Sequence, residues 1–286
     1  MNAGLWYGLA AYGLWGLFPL YWKLFGGVPA LEILAHRISW SFVVLAVLLA
    51  GFHRAGLRTL RTLPVRVVAL YGIAAVLIGV NWFLYVWAVN AGFIVETSLG
   101  YYVTPLVNVL LGVMVFRERL RPLQWVAVGL AAAGVLHLTL TYGSVPWVAA
   151  GLASTFGAYG LAKKKAPLAS LEGLTLETML LVAPAAAYLA ALEWQRSGLF
   201  LRGGTGTSLL LVGGGVITIV PLLLFASALR RIPLSVMGVL QYISPTIQLF
   251  IGVLLFGEPF SRAQLAGFSF VWVALVVFTV DGLRKR

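Results

Sequence analysis

Three ionisable residues, Glu32, His36 and Arg37, fall within one apolar stretch of the chain. On a helix, Glu32 and His36 are one turn apart and can interact, while Arg37 is rotated about 100° from His36. A carboxylate beside an imidazole can take up and release a proton near neutral pH, so the group is a candidate proton or charge relay. An interfacial ion cluster that anchors the helix is the competing reading. Glu177 stands in a similar setting near the end of a later apolar run and joins the relay candidates.

A second set is uncharged. Tyr101, Pro105, Asn108 and Gly112 follow at spacings of four, three and four, which places them on one helix face. Gln241, Pro245, Gln248 and Gly252 repeat that face 140 residues on, and Tyr242 repeats Tyr102. Polar groups within lipid usually face the bundle interior or a wet cavity. Two such stripes are therefore expected to line one path, against the alternative that the amides only bridge helices. Trp15, Asn81, Trp82 and Tyr85 lie deep in other apolar runs and offer stacking surfaces with a few polar contacts, the usual make-up of a small-molecule pocket. Core packing would use the same aromatic residues.

No catalytic set emerges. The chain has no P-loop, no H-E-x-x-H and no G-x-S-x-G, and neither His53 nor His137 has a metal-ligand neighbour. It also lacks cysteine, hence any disulfide or thiolate metal site. No enzyme activity, metal or cofactor is expected. Glu118 and Glu258 read as groups that satisfy free amide donors at helix starts, and Lys163, Lys164 and Lys165 read as an orientation signal.

The elements that must carry these residues are membrane helices. Hydrophobic residues make up 61% of the 286 positions and charged residues 10%, against roughly a half and a quarter in soluble domains. The net charge of +12 resides in short turns between apolar runs, not on a basic face, so nucleic acid is not the expected partner. A span needs about 20 apolar residues, which gives runs near 4–24, 30–51, 67–90, 97–115, 123–141, 146–162, 174–192, 207–229, 235–255 and 263–281. The first carries no preceding basic residue and no A-x-A-like end, and is expected to stay as a span.

With the N-terminus inside, fifteen Lys and Arg residues fall in inner loops and the C-terminal tail, whereas Arg196, Arg202 and Arg262 lie outside. That bias predicts both termini in the cytoplasm. The stretch 96–124 recurs 140 residues later, and its turn changes from R-E-R-L-R after Phe116 to G-E-P-F-S-R after Phe256. Five spans per half is an odd number, so the second copy must enter from the opposite side. The expected fold is an all-α integral membrane protein of ten transmembrane helices, arranged as two inverted five-helix repeats over 3–141 and 145–282. Such repeats are a signature of secondary transporters.

Several long runs carry a family resemblance: E-I-L-A-H-R-I-S-W-S from Glu32, N-W-F-L-Y-V-W-A-V-N from Asn81, E-T-S-L-G-Y-Y-V-T-P-L-V-N from Glu96 and Q-Y-I-S-P-T from Gln241. The chain resembles the drug/metabolite transporter superfamily, specifically its EamA-type ten-helix permeases, and most closely the RarD-type members. Gly257-Glu258 keeps the Gly-Glu turn usual in EamA-type halves, and Arg117-Glu118 departs from it. The resemblance implies an inner-membrane carrier that exports small metabolites, amino acids or drugs by alternating access, with the lipid bilayer, a small-molecule substrate and protons as partners. The monomer is the expected functional unit. A channel-like facilitator and a non-transporting membrane sensor or enzyme are the alternatives.

Overall fold

A computed structural model describes residues 3–90, 94–142, 147–255, 257 and 261–283. Among them there are helices and no strands. The first half contains α1 (Ala3–Gly16), α2 (Phe18–Trp22), α3 (Ala30–Phe52), α4 (Arg54–Arg61), α5 (Val65–Asn90), α6 (Ile94–Phe116) and α7 (Pro122–Tyr142). The second contains α8 (Trp147–Lys165), α9 (Ser170–Trp194), α10 (Thr205–Leu229), α11 (Leu234–Gln241), α12 (Ile243–Phe250), a π-helical turn Ile251–Leu255 and α13 (Arg262–Leu283).

Among the described residues, seven segments are long and apolar enough to cross a bilayer: 30–52, 65–88, 122–141, 170–194, 205–229, 234–255 and 262–281. Gly100–Phe116 is a shorter apolar helix. The ten predicted runs are thus not ten uniform helices, and the departures have local causes. The first run is divided at Leu17, where Pro19 enters the first turn of α2 and cannot donate to the preceding turn. α8 ends in three lysines, which shorten its apolar part. The two copies of the duplicated stretch also differ. The first is one continuous helix through Pro105, whereas the second divides at Tyr242 and loosens into the π-helical turn. The basic segment after α3, expected as a loop, folds as α4, with Arg58 and Arg61 in its last turn, where cations favour the helix dipole.

The helices of the two halves interleave. α6 packs on α8 and α11, α3 on α9 and α10, α5 on α8 and α9, α1 on α10 and α12, and α7 on α13. Tyr12, Tyr159, Phe225, Leu234 and Met237 form a core among α1, α8, α10 and α11. Tyr102, Tyr242, Phe268 and Val271 form another where α6 and α12 meet α13.

Glu118 does more than close its own turn. Its carboxylate accepts Leu234 N at 2.8 Å, Ser235 N at 2.9 Å and Ser235 Oγ at 2.6 Å, and so caps α11 in the other half. The start of α7 is held instead by Gln124, whose Oε1 accepts Arg121 N at 3.0 Å. Gln264 repeats the arrangement before α13, accepting Ser261 N at 2.8 Å and donating its own N–H to Ser261 Oγ at 3.1 Å. The duplicated glutamine is therefore a capping residue. Glu258 lies outside the described residues.

Candidate functional site

α3 is amphipathic in an inverted sense, because its polar residues are aimed inward from two faces. One face carries Glu32 and His36, both buried. Glu32 Oε1 accepts Leu199 N at 2.6 Å, and its Oε2 has no hydrogen-bond partner. His36 lies against the Phe200 ring at 5.0 Å. The two side chains make no direct hydrogen bond; they share a cavity of about 250 Å³ with Glu193, Leu189 and Gly198.

Arg37 is turned the other way, as its rotation on the helix requires. Its guanidinium carbon sits over the rings of Trp22 and Trp82, 4.8 Å from each centroid. Nε donates to Thr218 Oγ1 at 3.0 Å, and Thr218 in turn donates to Gly214 O at 2.7 Å. Tyr21, Tyr85 and Tyr101 lie within electrostatic reach of the charge. The Tyr85 and Tyr101 rings meet edge to face, with centroids 6.0 Å apart. The Gly213-Gly214-Gly215 run of α10 permits this assembly: a Cβ on Gly215 would stand 2.6 Å from Trp40 Cβ, so only glycine lets α3 come this close.

The amides are distributed along the boundary between halves. Asn108 is buried and donates through Nδ2 to Gln241 Oε1 at 2.9 Å, while its Oδ1 has no partner. Asn81 joins α5 to α8, donating to Leu152 O and Thr155 Oγ1, both at 2.9 Å. Gln248 donates to Trp15 O at 3.1 Å. That carbonyl is the one Pro19 deprives of its helical donor, four residues on. Gln248 thus repairs a proline defect in the opposite half. The Trp15 ring packs with Tyr12 and Phe225, each at a centroid distance of 5.5 Å.

Tyr242 stands apart from these groups. It lies in the α6–α13 core, its hydroxyl donating to Tyr102 O at 3.2 Å. Glu177 is also remote from Glu32: it accepts Lys163 Nζ at 2.8 Å and the Tyr159 hydroxyl at 3.1 Å in a buried ion pair. The structure accordingly brings Trp82, Tyr85, Tyr101 and Arg37 into one site, Glu32 and His36 into a neighbouring cavity, and Asn108 with Gln241 into a third contact.

Comparison with known proteins adds the duplication in another form. The pattern of the EamA-like transporter family matches this chain twice, over residues 2–140 and 145–280. The chain belongs to the EamA-like transporter family. It is 48% identical over 290 residues to the Uncharacterized transporter YojE of Bacillus subtilis (strain 168), covering 99% of this chain and 95% of that one. Protein RarD of Streptomyces exfoliatus is 47% identical over 284 residues, 99% of this chain and 90% of the relative. A solved crystal structure superposes with a TM-score of 0.70 over 98% of each chain at 22% identity, which establishes likeness of fold. Membership makes this EamA-family chain a multi-pass membrane transporter of the drug/metabolite superfamily and points away from an enzyme.

Tyr21, Trp22 and Thr218 were not among the sequence candidates of this EamA-family chain. Trp22 and Tyr21 sit at the end of an apolar run, where interfacial aromatics are common, and Thr218 lies 181 residues from Arg37. Lys163 was read only as an orientation signal, yet it is buried and paired. The available clue was local: Lys163 follows directly on the apolar part of α8, whereas Lys165 is exposed.

Proposed function

We propose that this protein is a secondary transporter that exports small metabolites, amino acids or drugs across the inner membrane by alternating access, using ten spans in two inverted repeats, 3–141 and 145–282. Both termini are cytoplasmic and the monomer is the working unit. One observation carries the reading: contacts between the halves are reciprocal. α5 meets α8 as α1 meets α10; α5 meets α9 as α10 meets α3; α6 meets α8 as α12 meets α1. Two related bundles facing each other about a two-fold axis give this pattern. Discontinuous helices at the repeat interface, here α1–α2 and α11–α12, are where transporters of this kind place their sites.

The path proposed runs along Trp15, Asn81, Trp82, Tyr85, Tyr101, Asn108, Gln241 and Gln248, with Tyr242 supporting its wall. Glu32 and His36 form the proton relay. The free Glu32 oxygen beside His36 supports that role, and the Lys163 partner of Glu177 favours a structural role for Glu177. The test is flux in proteoliposomes with and without an imposed pH gradient. Gradient-dependent accumulation is expected of wild type and its loss of Glu32→Gln, which keeps size and hydrogen bonding but does not titrate. Downhill flux indifferent to the gradient would indicate a facilitator, and full coupling in Glu32→Gln would remove Glu32 from the relay.

A further inference from the structure

We propose that Arg37 is an anion anchor in the transport path and that the substrate it receives is a small organic monocarboxylate with an apolar or aromatic body. The inference rests on the transporter reading and specifies its substrate class. A guanidinium has five N–H donors and stays charged in proteins. Only Nε has an acceptor among the described residues, Thr218 Oγ1, which leaves the four donors on the two terminal nitrogens for other groups. None of the ion pairs among the described residues involves Arg37. Its electrostatic neighbours Tyr21, Tyr85 and Tyr101 are neutral phenols.

The contrast with Lys163 is instructive. That cation, buried where Arg37 is half-buried, has its carboxylate at 2.8 Å. Arg37 has two tryptophan faces in place of a carboxylate. Aromatic faces attract a cation and partly offset its desolvation, but they leave its net charge standing, and an uncompensated charge inside a bundle is costly. A transported anion would supply that compensation. The guanidinium fork matches a carboxylate through two parallel hydrogen bonds.

Charge count narrows the class. One positive charge among neutral phenols and indoles balances one negative charge. A phosphate monoester carries close to two and would leave one unmatched. A zwitterionic amino acid would bring an ammonium group to a site whose described neighbours include no carboxylate. The rings of Trp22, Trp82, Tyr85 and Tyr101 provide the surface for an apolar body.

The test uses purified full-length protein in detergent, with thermal stability and tryptophan fluorescence as readouts and four probes: benzoate, benzamide, phenyl phosphate and phenylalanine. Benzoate should stabilise the fold and perturb the fluorescence, and the isosteric neutral benzamide should bind at least about tenfold more weakly, a difference of about 1.4 kcal/mol. Arg37→Gln should remove the preference for benzoate, and Arg37→Lys, which keeps charge but loses the fork, should weaken it. Equal binding of benzoate and benzamide, binding of neither, preference for phenyl phosphate or phenylalanine, or an unchanged preference in Arg37→Gln would each overturn the proposal. The comparison of probes on wild type needs no variant to fold. Counterflow of neutral compounds that persists in Arg37→Gln would sink the anion anchor and leave the transporter standing, whereas benzoate binding with no flux of any compound would sink the transporter and leave the anion site.

Discussion

Pro19 and Gln248 should be energetically coupled although 229 positions separate them. Proline at 19 cannot donate a backbone N–H to Trp15 O, and the Gln248 side chain fills that place at 3.1 Å. Replacing Gln248 by Leu strands the carbonyl in an apolar bundle. Leaving a buried acceptor unsatisfied costs about 1–3 kcal/mol in soluble proteins, and side-chain hydrogen bonds measured within membranes average about 0.6 and reach about 1.7 kcal/mol. The Gln248→Leu loss should therefore be about 1 kcal/mol. In a Pro19→Ala background the restored backbone N–H can occupy Trp15 O, so the same Gln248→Leu change should cost close to nothing. The assay is a double-mutant cycle on reversible unfolding in mixed SDS and detergent micelles, followed by tryptophan fluorescence. An equal loss in both backgrounds would show that Gln248 does not stand in for the missing donor.

Other consequences follow from contacts buried between helices. Lys163→Met leaves the Glu177 carboxylate enclosed with only the Tyr159 hydroxyl, and should destabilise the protein by about 3–5 kcal/mol in the same unfolding assay. Adding Glu177→Gln, which removes the stranded charge, should recover most of that loss; a single-variant cost below about 1 kcal/mol would contradict the buried pair. Gly215→Ala places a methyl group 2.6 Å from Trp40 Cβ and 2.7 Å from the Trp40 carbonyl carbon. It should cost about 1–3 kcal/mol by overpacking, measured as a lowered thermal midpoint, and an unchanged midpoint would mean that α3 and α10 do not approach as described.

How far the sequence foretold this arrangement depends on the range of the interaction. Apolar run length located the helices well, since span length follows from bilayer thickness and rise per residue. The breaks at Leu17 and Tyr242 were signalled by Pro19 and Pro245, but proline alone does not say whether a helix bends or divides: α6 and α10 pass through Pro105 and Pro221 unbroken. α4 was missed because a short basic segment has no apolar run to betray it. The polar stripes were legible as faces, yet their partners were not. Spacing placed Tyr101 and Asn108 on one side of α6 without revealing that Tyr101 reaches Tyr85 and Asn108 reaches Gln241. The Arg37 surroundings were the least legible part, because Trp22, Trp82 and Thr218 come from three other helices. The tie between Glu118 and the start of α11 was hidden for the same reason, 116 residues apart.

The central claim, opposite insertion of two related halves, is tested most directly at the duplicated turn itself. The chain has no cysteine, and Arg119 and Ser261 are exposed in the two copies of that turn. Arg119→Cys and Ser261→Cys should be labelled by a membrane-impermeant thiol reagent from opposite sides: position 261 in intact cells, and position 119 only after the membrane is opened. Labelling of both from the same side would contradict the inverted repeat and the transport path built on it.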